Sequence, residues 1–534
     1  MKNYNNLYVA FWASILSALF VLSLHQAMLN GDGKEYLLYT RAFSAHFSPD
    51  LRKEDIKHIA SILDKSEPDF RKNSDELGKG YTLRKGSQYD GKGFVRGQDS
   101  KTYSWHFWLY SAFVTPFFEI SHVLKMPPAQ AFVMCNWAFI LATLSYLTFF
   151  WVASCLQKQV LASLFLLTGT TYYIWWTHPE VFTASLILLA FMLASDKRYG
   201  LAMLASALAT TQNPPIIFLL TFFAEKPLLG DHPFRFKGFP FKTIIENNRR
   251  NFVVILVTFG IAILPVIFFH ITLGVPNPIA AAGSTDMSLI SLSRLFSLYF
   301  DLNLGMIVAA PGIFIGITSL IFLIILRNLK VERATTIFSQ LQPLMIGILL
   351  SVVMALPALA TTNWNHGQSV FSRYAYWLAI PIIFGFVASI SNLSRRISIG
   401  LGVTVVAIQL ATVSYFGVWG DNCRSDYTSF KPIANYLLQN HPELYNPIPE
   451  IFIERLEHHE AMPSIVEQQN QIFIYPEKGN PTKILLASNL AKLIHGNCQN
   501  TIVDQTEGDW SYISVLNAQE GCINKFLSKQ KSIN

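Results

Sequence analysis

Residues 105–126 read WHFWLYSAFVTPFFEISHVLKM, and the arrangement of the whole chain depends on how this stretch is used. It has enough apolar residues to cross a bilayer, yet it is crowded with Trp, Tyr and His. If it spans, Lys158, Lys197 and Arg198 lie outside the membrane, whereas if it lies along the interface they lie in the cytoplasm. Because loops rich in Lys and Arg stay cytoplasmic, we predict an interfacial helix over residues 105–126.

Apolar runs of about 20 residues, the length needed to cross a ~30 Å hydrocarbon core, recur on both sides of this stretch. Their approximate bounds are 7–29, 129–153, 160–176, 180–195, 199–223, 251–273, 306–326, 341–360, 373–391 and 398–419. The first lacks a clear cleavage site and is interpreted as a retained signal anchor. To keep the basic loops on one side, residues 199–223 must form two short helices that turn at TQNPP, residues 211–215.

The composition agrees with a membrane protein. Of 534 residues, 51% are hydrophobic and only 14% are charged, a balance that leaves too little polar surface for a soluble domain. The formal charge of +7 comes from Lys and Arg in short stretches between apolar runs, so it is a topology signal and does not indicate nucleic-acid binding. Five cysteines are too few for a disulfide scaffold, and any pairing in the tail stays open.

Besides the turn at TQNPP, five segments lie on the outer face in this topology. They are a first loop over residues 30–104, a turn at 177–180, a loop at 274–305, a turn at 361–373 and a tail over 420–534. The first loop should hold a charged helix near 49–65 and an irregular Gly-rich part at 78–97. The tail alternates helical pieces such as 432–439 with the strand-like runs QIFIY and YISVL, which predicts a small α+β domain.

The predicted fold class is therefore an all-α polytopic membrane protein over residues 1–419, with about eleven passes plus the interfacial helix. A small α+β extracytoplasmic C-terminal domain follows over residues 420–534. The N-terminus is expected in the cytoplasm and the C-terminus outside.

Two carboxylates follow the first span, in NGDGKEYLLYTRAF. Asp32 and Glu35 are three residues apart, which places both on one helical face just above the membrane. A carboxylate there could act as a general base toward an acceptor hydroxyl. Alternatively, Asp32 caps the helix and Glu35 complements its dipole. The sequence leaves both interpretations open.

A long first outer loop that opens with an acid, an aromatic juxtamembrane helix and short-looped spans resembles the GT-C superfamily of membrane glycosyltransferases. The closest likeness is to the branch of the protein O-mannosyltransferases and the lipid A aminoarabinose transferase. Residues 103–113, YSWHFWLYSAF, occupy the place of that family's Pro-Pro-Leu motif but lack its prolines. The resemblance implies a bacterial inner-membrane enzyme with Asp32 as catalytic base and His106, from this motif, near the substrate.

A second outer acid is expected by the same resemblance after the third span, where WWTHPEVF supplies His178 and Glu180. Equally, Glu180 could simply complement the dipole of the helix that it begins. No HxxxH or HExxH spacing supports a metal site, so no cofactor is predicted, although a divalent metal stays open. No GxxxxGK[ST] sequence argues for a nucleotide-driven machine.

The turn TTNWNHGQSVFSRYAYW, residues 361–377, is the most polar of the short outer segments. Its predicted substrate-binding residues are Asn365, His366, Arg373 and Tyr374. An Arg fork could hold the carrier phosphate as it leaves, and Arg373 is the first choice. Arg373 and Arg294 could instead be snorkelling anchors in lipid headgroups.

The predicted function is transfer of a sugar, with inversion, from a polyprenyl-phosphate carrier to a lipid, glycan or protein acceptor on the outer face. Asp32 is the predicted base. Sugar contacts are assigned to Glu35, His106, His178 and Glu180, and Asn213 could contact a sugar hydroxyl. Two other functions stay open: a carrier or flippase for a lipid-linked intermediate, and a non-enzymatic envelope assembly protein whose tail binds partners.

Overall fold

A computed structural model describes residues 31–63, 93–229, 249–328, 334–416, 427–460, 472–476, 479–497, 502–505, 510–515 and 521–522, together with residues 9, 12–17, 20, 27 and 29. The predicted first span, residues 7–29, lies largely outside the described residues. So does most of the Gly-rich segment 78–97.

The described elements are mainly helices. In chain order, the longer ones are α1 (Gly33–His46), α2 (Lys53–Ile62), α3 (Leu109–Val123), α4 (Gln130–Ser145), α5 (Cys155–Phe165), α6 (Glu180–Ser195), α7 (Tyr199–Thr210), α8 (Ile217–Leu229), α9 (Arg249–Leu273), α10 (Leu292–Phe300), α11 (Pro311–Asn328), α12 (Ala334–Leu359), α13 (Arg373–Ile390), α14 (Arg395–Phe416), α15 (Pro432–Asn440), α16 (Pro449–Leu456) and α17 (Ser488–Asn497). The strands are β1 (Phe94–Arg96), β2 (Thr102–Ser104), β3 (Gln368–Ser369), β4 (Phe371–Ser372), β5 (Phe473–Tyr475), β6 (Lys483–Ala487), β7 (Ile502–Gln505) and β8 (Trp510–Ser514).

Within the described residues, six helices are long and apolar enough to cross a membrane. They are Gln130–Phe150, Asn251–Leu273, Pro311–Asn328, Thr335–Leu359, Arg373–Ile390 and Arg395–Phe416. The first of these includes a π-helical turn that extends α4 to Phe150. Each lies on a predicted apolar run, because a helix satisfies all its own backbone groups where no water is present. The chain is therefore a largely helical membrane protein, and the count of about eleven passes stays a prediction.

The predicted break in residues 199–223 is confirmed. Helix α7 ends at Thr210, a 3-10 turn covers Pro214–Ile216, and α8 begins at Ile217. Consecutive prolines remove two backbone donors, so a continuous helix could not pass through this point. The two halves pack against each other, as a helical hairpin requires.

Residues 105–126 form a shorter helix than the stretch predicts. Helix α3 has 15 residues and contains Pro116. At 1.5 Å per residue it is roughly 22 Å long, less than the ~30 Å of a hydrocarbon core. This length agrees with an interfacial helix, whose position in the membrane stays a prediction.

The first loop contains more regular structure than its composition indicates. Helix α2 corresponds to the predicted charged helix near 49–65. The expectation that residues 78–97 are irregular is wrong at their end, where β1 pairs with β2 in antiparallel register, Phe94 opposite Ser104. Strands of three residues are too short to show a period in the sequence.

The described chain divides into two compact units. The first comprises residues 1–286, 312–358 and 376–411, and the second comprises 287–311, 359–375 and 412–534. The first unit thus holds α1 to α9, α11 and α12, and most of α13 and α14. The predicted domain boundary at residue 420 falls in residues 417–426, outside the described residues.

The second unit contains the expected α+β elements of the tail. Its four-stranded antiparallel sheet has the order β5-β6-β8-β7. Alternate residues of β6 face opposite sides: Leu485 packs in a cluster with residues of α15 and α16, whereas Ile484 and Leu486 pack in a cluster with residues of α17. The helix predicted at 432–439 and the strand in QIFIY are confirmed, and YISVL overlaps β8.

Close backbone contact joins α12 and α13 in the first unit. A Cβ added at Gly347 would overlap the carbonyl oxygen of Pro381, and one added at Gly385 would overlap the carbonyl oxygen of Pro343. Small residues permit this approach, which is a common basis of helix packing in membranes.

We expect Gly347→Ala to lower the thermal unfolding midpoint of the detergent-solubilised protein, because the added methyl group must separate the two helices. The cost should be about 1–3 kcal/mol. Gly400→Ala is the matched control, since a Cβ at Gly400 in α14 meets open space. Its midpoint should stay unchanged or rise. Equal midpoints for the two variants would contradict the close packing.

Candidate functional site

Helix α1 begins beside the two predicted carboxylates. Asp32 occupies the position that precedes the helix, but its side chain makes no capping hydrogen bond. Its Oδ1 atom lies instead 3.4 Å from Nε2 of His106. The same ring nitrogen lies 3.6 Å from Oε2 of Glu35. The capping interpretation of Asp32 is therefore wrong for its side chain, and both acids do share one helical face.

His106 is held in place by its neighbours. Its backbone N–H donates to Oγ of Ser104 at 3.1 Å, and its ring packs against Tyr36 with centroids 5.4 Å apart. Ser104 ends strand β2, so the short hairpin of β1 and β2 positions the histidine over the start of α1. The sequence motif that suggested His106 gave no sign of this hairpin.

Glu35 is the more enclosed of the two acids. Its side chain is 12% exposed, against 28% for Asp32. The Ser104 hydroxyl donates to its Oε2 atom, and a Cβ at Gly93 would overlap the carboxyl group. Burial is the largest cause that raises the pKa of Glu35 to about 8; nearby Asp32 adds to the rise, while His106 and Ser104 oppose it. The Glu35 carboxyl group thus holds its proton more tightly than an exposed glutamate does.

Tyr36 links this pair of acids to the turn at residues 177–180. Its buried ring contacts the rings of His106, His178 and Tyr110, with a centroid distance of 5.7 Å to His178. A Cβ at Gly33 would overlap the hydroxyl of Thr177, so α1 and this turn lie in direct contact. His178 therefore belongs to the same cluster as Asp32, Glu35 and His106.

Glu180 is buried in the first turn of α6, directly after Pro179. Burial raises the pKa of the Tyr110 phenol well above its ordinary value, and the nearby charge of Glu180 adds to the shift. The position also suits complementation of the helix dipole, so both roles predicted for Glu180 stay open.

The TQNPP turn contributes a residue that the sequence did not single out. Gln212 accepts from the backbone N–H of Tyr110 at 3.1 Å and donates to the carbonyl of Phe107 at 2.9 Å. Its amide also lies 3.4 Å from the hydroxyl of Tyr36. The predicted Asn213 instead donates to Thr183 at 2.6 Å, which ties the turn to α6. Gln212, and not Asn213, contacts Tyr36 and Phe107. The sequence pattern does not show which of two adjacent amide residues in a turn faces the site.

A divalent metal could be held at the acids. One ligand atom each from Asp32, Glu35 and His106 lies within 4.8 Å of the others. Carboxylate oxygens with one imidazole nitrogen form a ligand set that several divalent ions accept. A divalent metal at Asp32, Glu35 and His106 therefore stays possible, although the sequence has no histidine motif for metal binding.

The other predicted site residues belong to the second unit. The Asn365 amide donates to Glu454 of α16, and Nδ1 of His366 lies 3.5 Å from Oε2 of Glu460. The Arg373 guanidinium lies over the ring of Tyr374, with its central carbon 5.3 Å from the ring centroid. The turn 361–373 is therefore a polar cluster in contact with the tail.

Arg294 has a structural explanation that differs from the predicted snorkelling. Its side chain is buried, forms an ion pair with Glu450, and donates to the carbonyl of Leu359 at 2.8 Å. Its guanidinium also lies over the ring of Trp364, whose Nε1 donates to the same glutamate at 2.8 Å. The sequence could not indicate the partner, since Glu450 lies in the distant tail.

The fold and this cluster define a helical membrane protein with an acid–histidine site beside a short β-hairpin. Comparison with protein-family models, with curated proteins and with solved structures gives no match for the chain.

The raised pKa of Glu35 predicts how stability depends on pH. The folded protein holds this proton more tightly than the unfolded chain, so the resulting stability is complete below about pH 4.5 and is lost as the pH rises toward 8. The slope should reach at most roughly 1.4 kcal/mol per pH unit. Glu35→Gln should flatten this profile in thermal unfolding between pH 5 and 8.

The matched control is Glu54→Gln, because Glu54 is an exposed acid of α2. This variant should keep the pH profile of the wild type. A profile that is identical in Glu35→Gln and the wild type would show that Glu35 does not titrate in this range.

Proposed function

We propose that this protein is a membrane glycosyltransferase that moves a sugar from a polyprenyl-phosphate carrier to an acceptor hydroxyl on the outer face of the membrane. The observation that carries the proposal is the approach of Asp32 and Glu35 to one nitrogen of His106. Two neighbouring carboxyl groups in unlike environments beside one histidine are typical of sites that perform acid–base chemistry.

Asp32 is the better base of the two acids. A general base must be ionised and must reach the proton that it accepts. The Asp32 carboxylate is the more exposed of the two, whereas Glu35 is enclosed by Ser104 and Gly93 and burial raises its pKa to about 8. Glu35 and His106 are therefore positioning residues, which hold the Asp32 carboxylate and limit the negative charge of the cluster.

In the proposed step, the Asp32 carboxylate accepts the proton of the acceptor hydroxyl. The hydroxyl oxygen forms a bond to the anomeric carbon of the sugar from the side opposite the carrier. The bond between that carbon and the phosphate oxygen breaks, and both electrons leave with the polyprenyl phosphate. Attack opposite the leaving group inverts the configuration.

The contacts support the proposed sidedness. In the first unit, the first loop, the turn at 177–180 and the TQNPP turn, all predicted outside, meet around Tyr36. In the second unit, the predicted outer turn 361–373 and the part of the predicted outer loop 274–305 from residue 287 onward fold together with the tail. Cys522 in the tail is disulfide-bonded, which suits an oxidising compartment. We propose the inner membrane of a bacterium, with the N-terminus in the cytoplasm.

Arg373 stays the predicted ligand of the carrier phosphate, a role that belongs to the second unit. A guanidinium has the fork geometry that binds phosphate, and that of Arg373 lies over the ring of Tyr374. His178, Glu180, Asn365, His366 and Tyr374 stay predicted substrate contacts.

We expect Asp32→Asn to lower transfer by about 10²–10⁴-fold, because the amide cannot accept the proton. Purified protein in liposomes would be assayed with a panel of radiolabelled polyprenyl-phosphate sugars, and covalent product would be measured. Glu54→Gln, an exposed acid of the same loop, is the matched control and should retain full activity.

Unchanged transfer by Asp32→Asn at a normal protein level would end this mechanism. Movement of the labelled lipid-sugar across the liposome bilayer, with no covalent product from the wild type, would favour a flippase instead.

A further inference from the structure

An apolar groove lies between α4, α6 and α7 of the first unit, away from the acid–histidine site. Its volume is about 390 Å³. The floor is formed by buried side chains, among them Leu186, Leu193 and Ala205, whereas Phe150 and Leu201 at its rims are 60% and 50% exposed. A concave apolar channel with exposed rims has the shape that holds one hydrocarbon chain.

One end of the groove carries positive charge. Arg198 lines the groove at the turn that joins α6 to α7, and Lys197 precedes it. The ammonium group of Lys158 donates to the carbonyl of Thr148, in the π-helical turn beside the groove, at 3.0 Å. Asp196 directly precedes Lys197 and is the acid of this turn. The end of the groove is therefore net positive.

The Asp196 carboxylate already accepts hydrogen bonds from other groups. Asp196 accepts from the hydroxyl of Tyr146 at 2.7 Å and from the backbone N–H of Val152 at 3.1 Å. Among the described residues, no ion pair joins it to Arg198, whose guanidinium is exposed. The Arg198 charge is thus available to an anion that enters at this end of the groove.

A second groove provides the contrast. It has about 480 Å³ and follows α12 along Phe338, Gln342, Met345 and Leu349. Its lining carries no charged residue. Any lipid could fill this second groove by apolar contact alone. The groove between α4, α6 and α7 differs because Arg198 adds a positive charge to its lining.

We propose that the groove between α4, α6 and α7 binds one acyl chain of an anionic phospholipid, with the lipid phosphate held by Arg198. The basic turn belongs to the predicted cytoplasmic side, where anionic phospholipids attract clusters of Lys and Arg. An Arg fork pairs with phosphate oxygens through two parallel hydrogen bonds, and a zwitterionic headgroup gains less because its own ammonium group competes.

The test uses the full-length protein, purified in detergent with an equimolar mixture of phosphatidylglycerol and phosphatidylcholine. Native mass spectrometry counts each lipid that stays bound after detergent exchange. The wild type should retain one phosphatidylglycerol in preference to phosphatidylcholine. Arg198→Gln should reduce that preference about fivefold, the change expected for loss of one basic contact with an anionic lipid.

Two matched controls separate charge and shape. Arg396→Gln removes an exposed arginine of α14 that does not line the groove, and it should leave the preference unchanged. Leu204→Trp fills the groove and should abolish retention of the lipid, whereas Leu349→Trp, in the uncharged groove, should not.

Equal retention of the two lipids by the wild type would overturn the proposal. So would an equal loss in Arg198→Gln and Arg396→Gln, or an equal loss in the two tryptophan variants. Preferential retention of a polyprenyl phosphate over phosphatidylglycerol in the same assay would also overturn it, because the occupant would then be a carrier lipid.

Discussion

The enclosed carboxyl group of Glu35 is the constraint on which the polar end of the first unit depends. A buried carboxyl group needs hydrogen-bond partners and space, and it obtains them from Ser104, Gly93 and the nearby His106. These contacts fix the β-hairpin against the start of α1. Burial raises the pKa of Glu35, so ionisation of both neighbouring carboxyl groups at once is disfavoured.

Tyr36 extends this constraint to the helices of the bundle. Its ring joins the histidines of two distant segments, and its hydroxyl approaches Gln212 in the proline turn. Gln212 in turn satisfies backbone groups at the start of α3, where a helix leaves its first N–H groups unpaired. The break at TQNPP thus has two effects: it ends α7, and it provides an amide to the site.

In the second unit, α16 connects the tail to two segments between membrane helices. Its Glu450 pairs with Arg294 and accepts from Trp364, and its Glu454 accepts from Asn365. Buried charges are tolerated only when they are paired and hydrogen-bonded. The tail and these segments therefore fold as one compact unit.

The sequence by itself determined the membrane class, the six long apolar helices of the described residues, the break at TQNPP, and one helix and two strands of the tail, because length, hydropathy and proline act locally. It also placed Asp32 and Glu35 on one helical face. Only the tertiary structure decided which polar groups meet: the side chain of Asp32 faces His106 and does not cap its helix, Gln212 and not Asn213 contacts the cluster, and Arg294 pairs with Glu450. These contacts join residues that are far apart in the sequence, so no local sequence pattern predicts them.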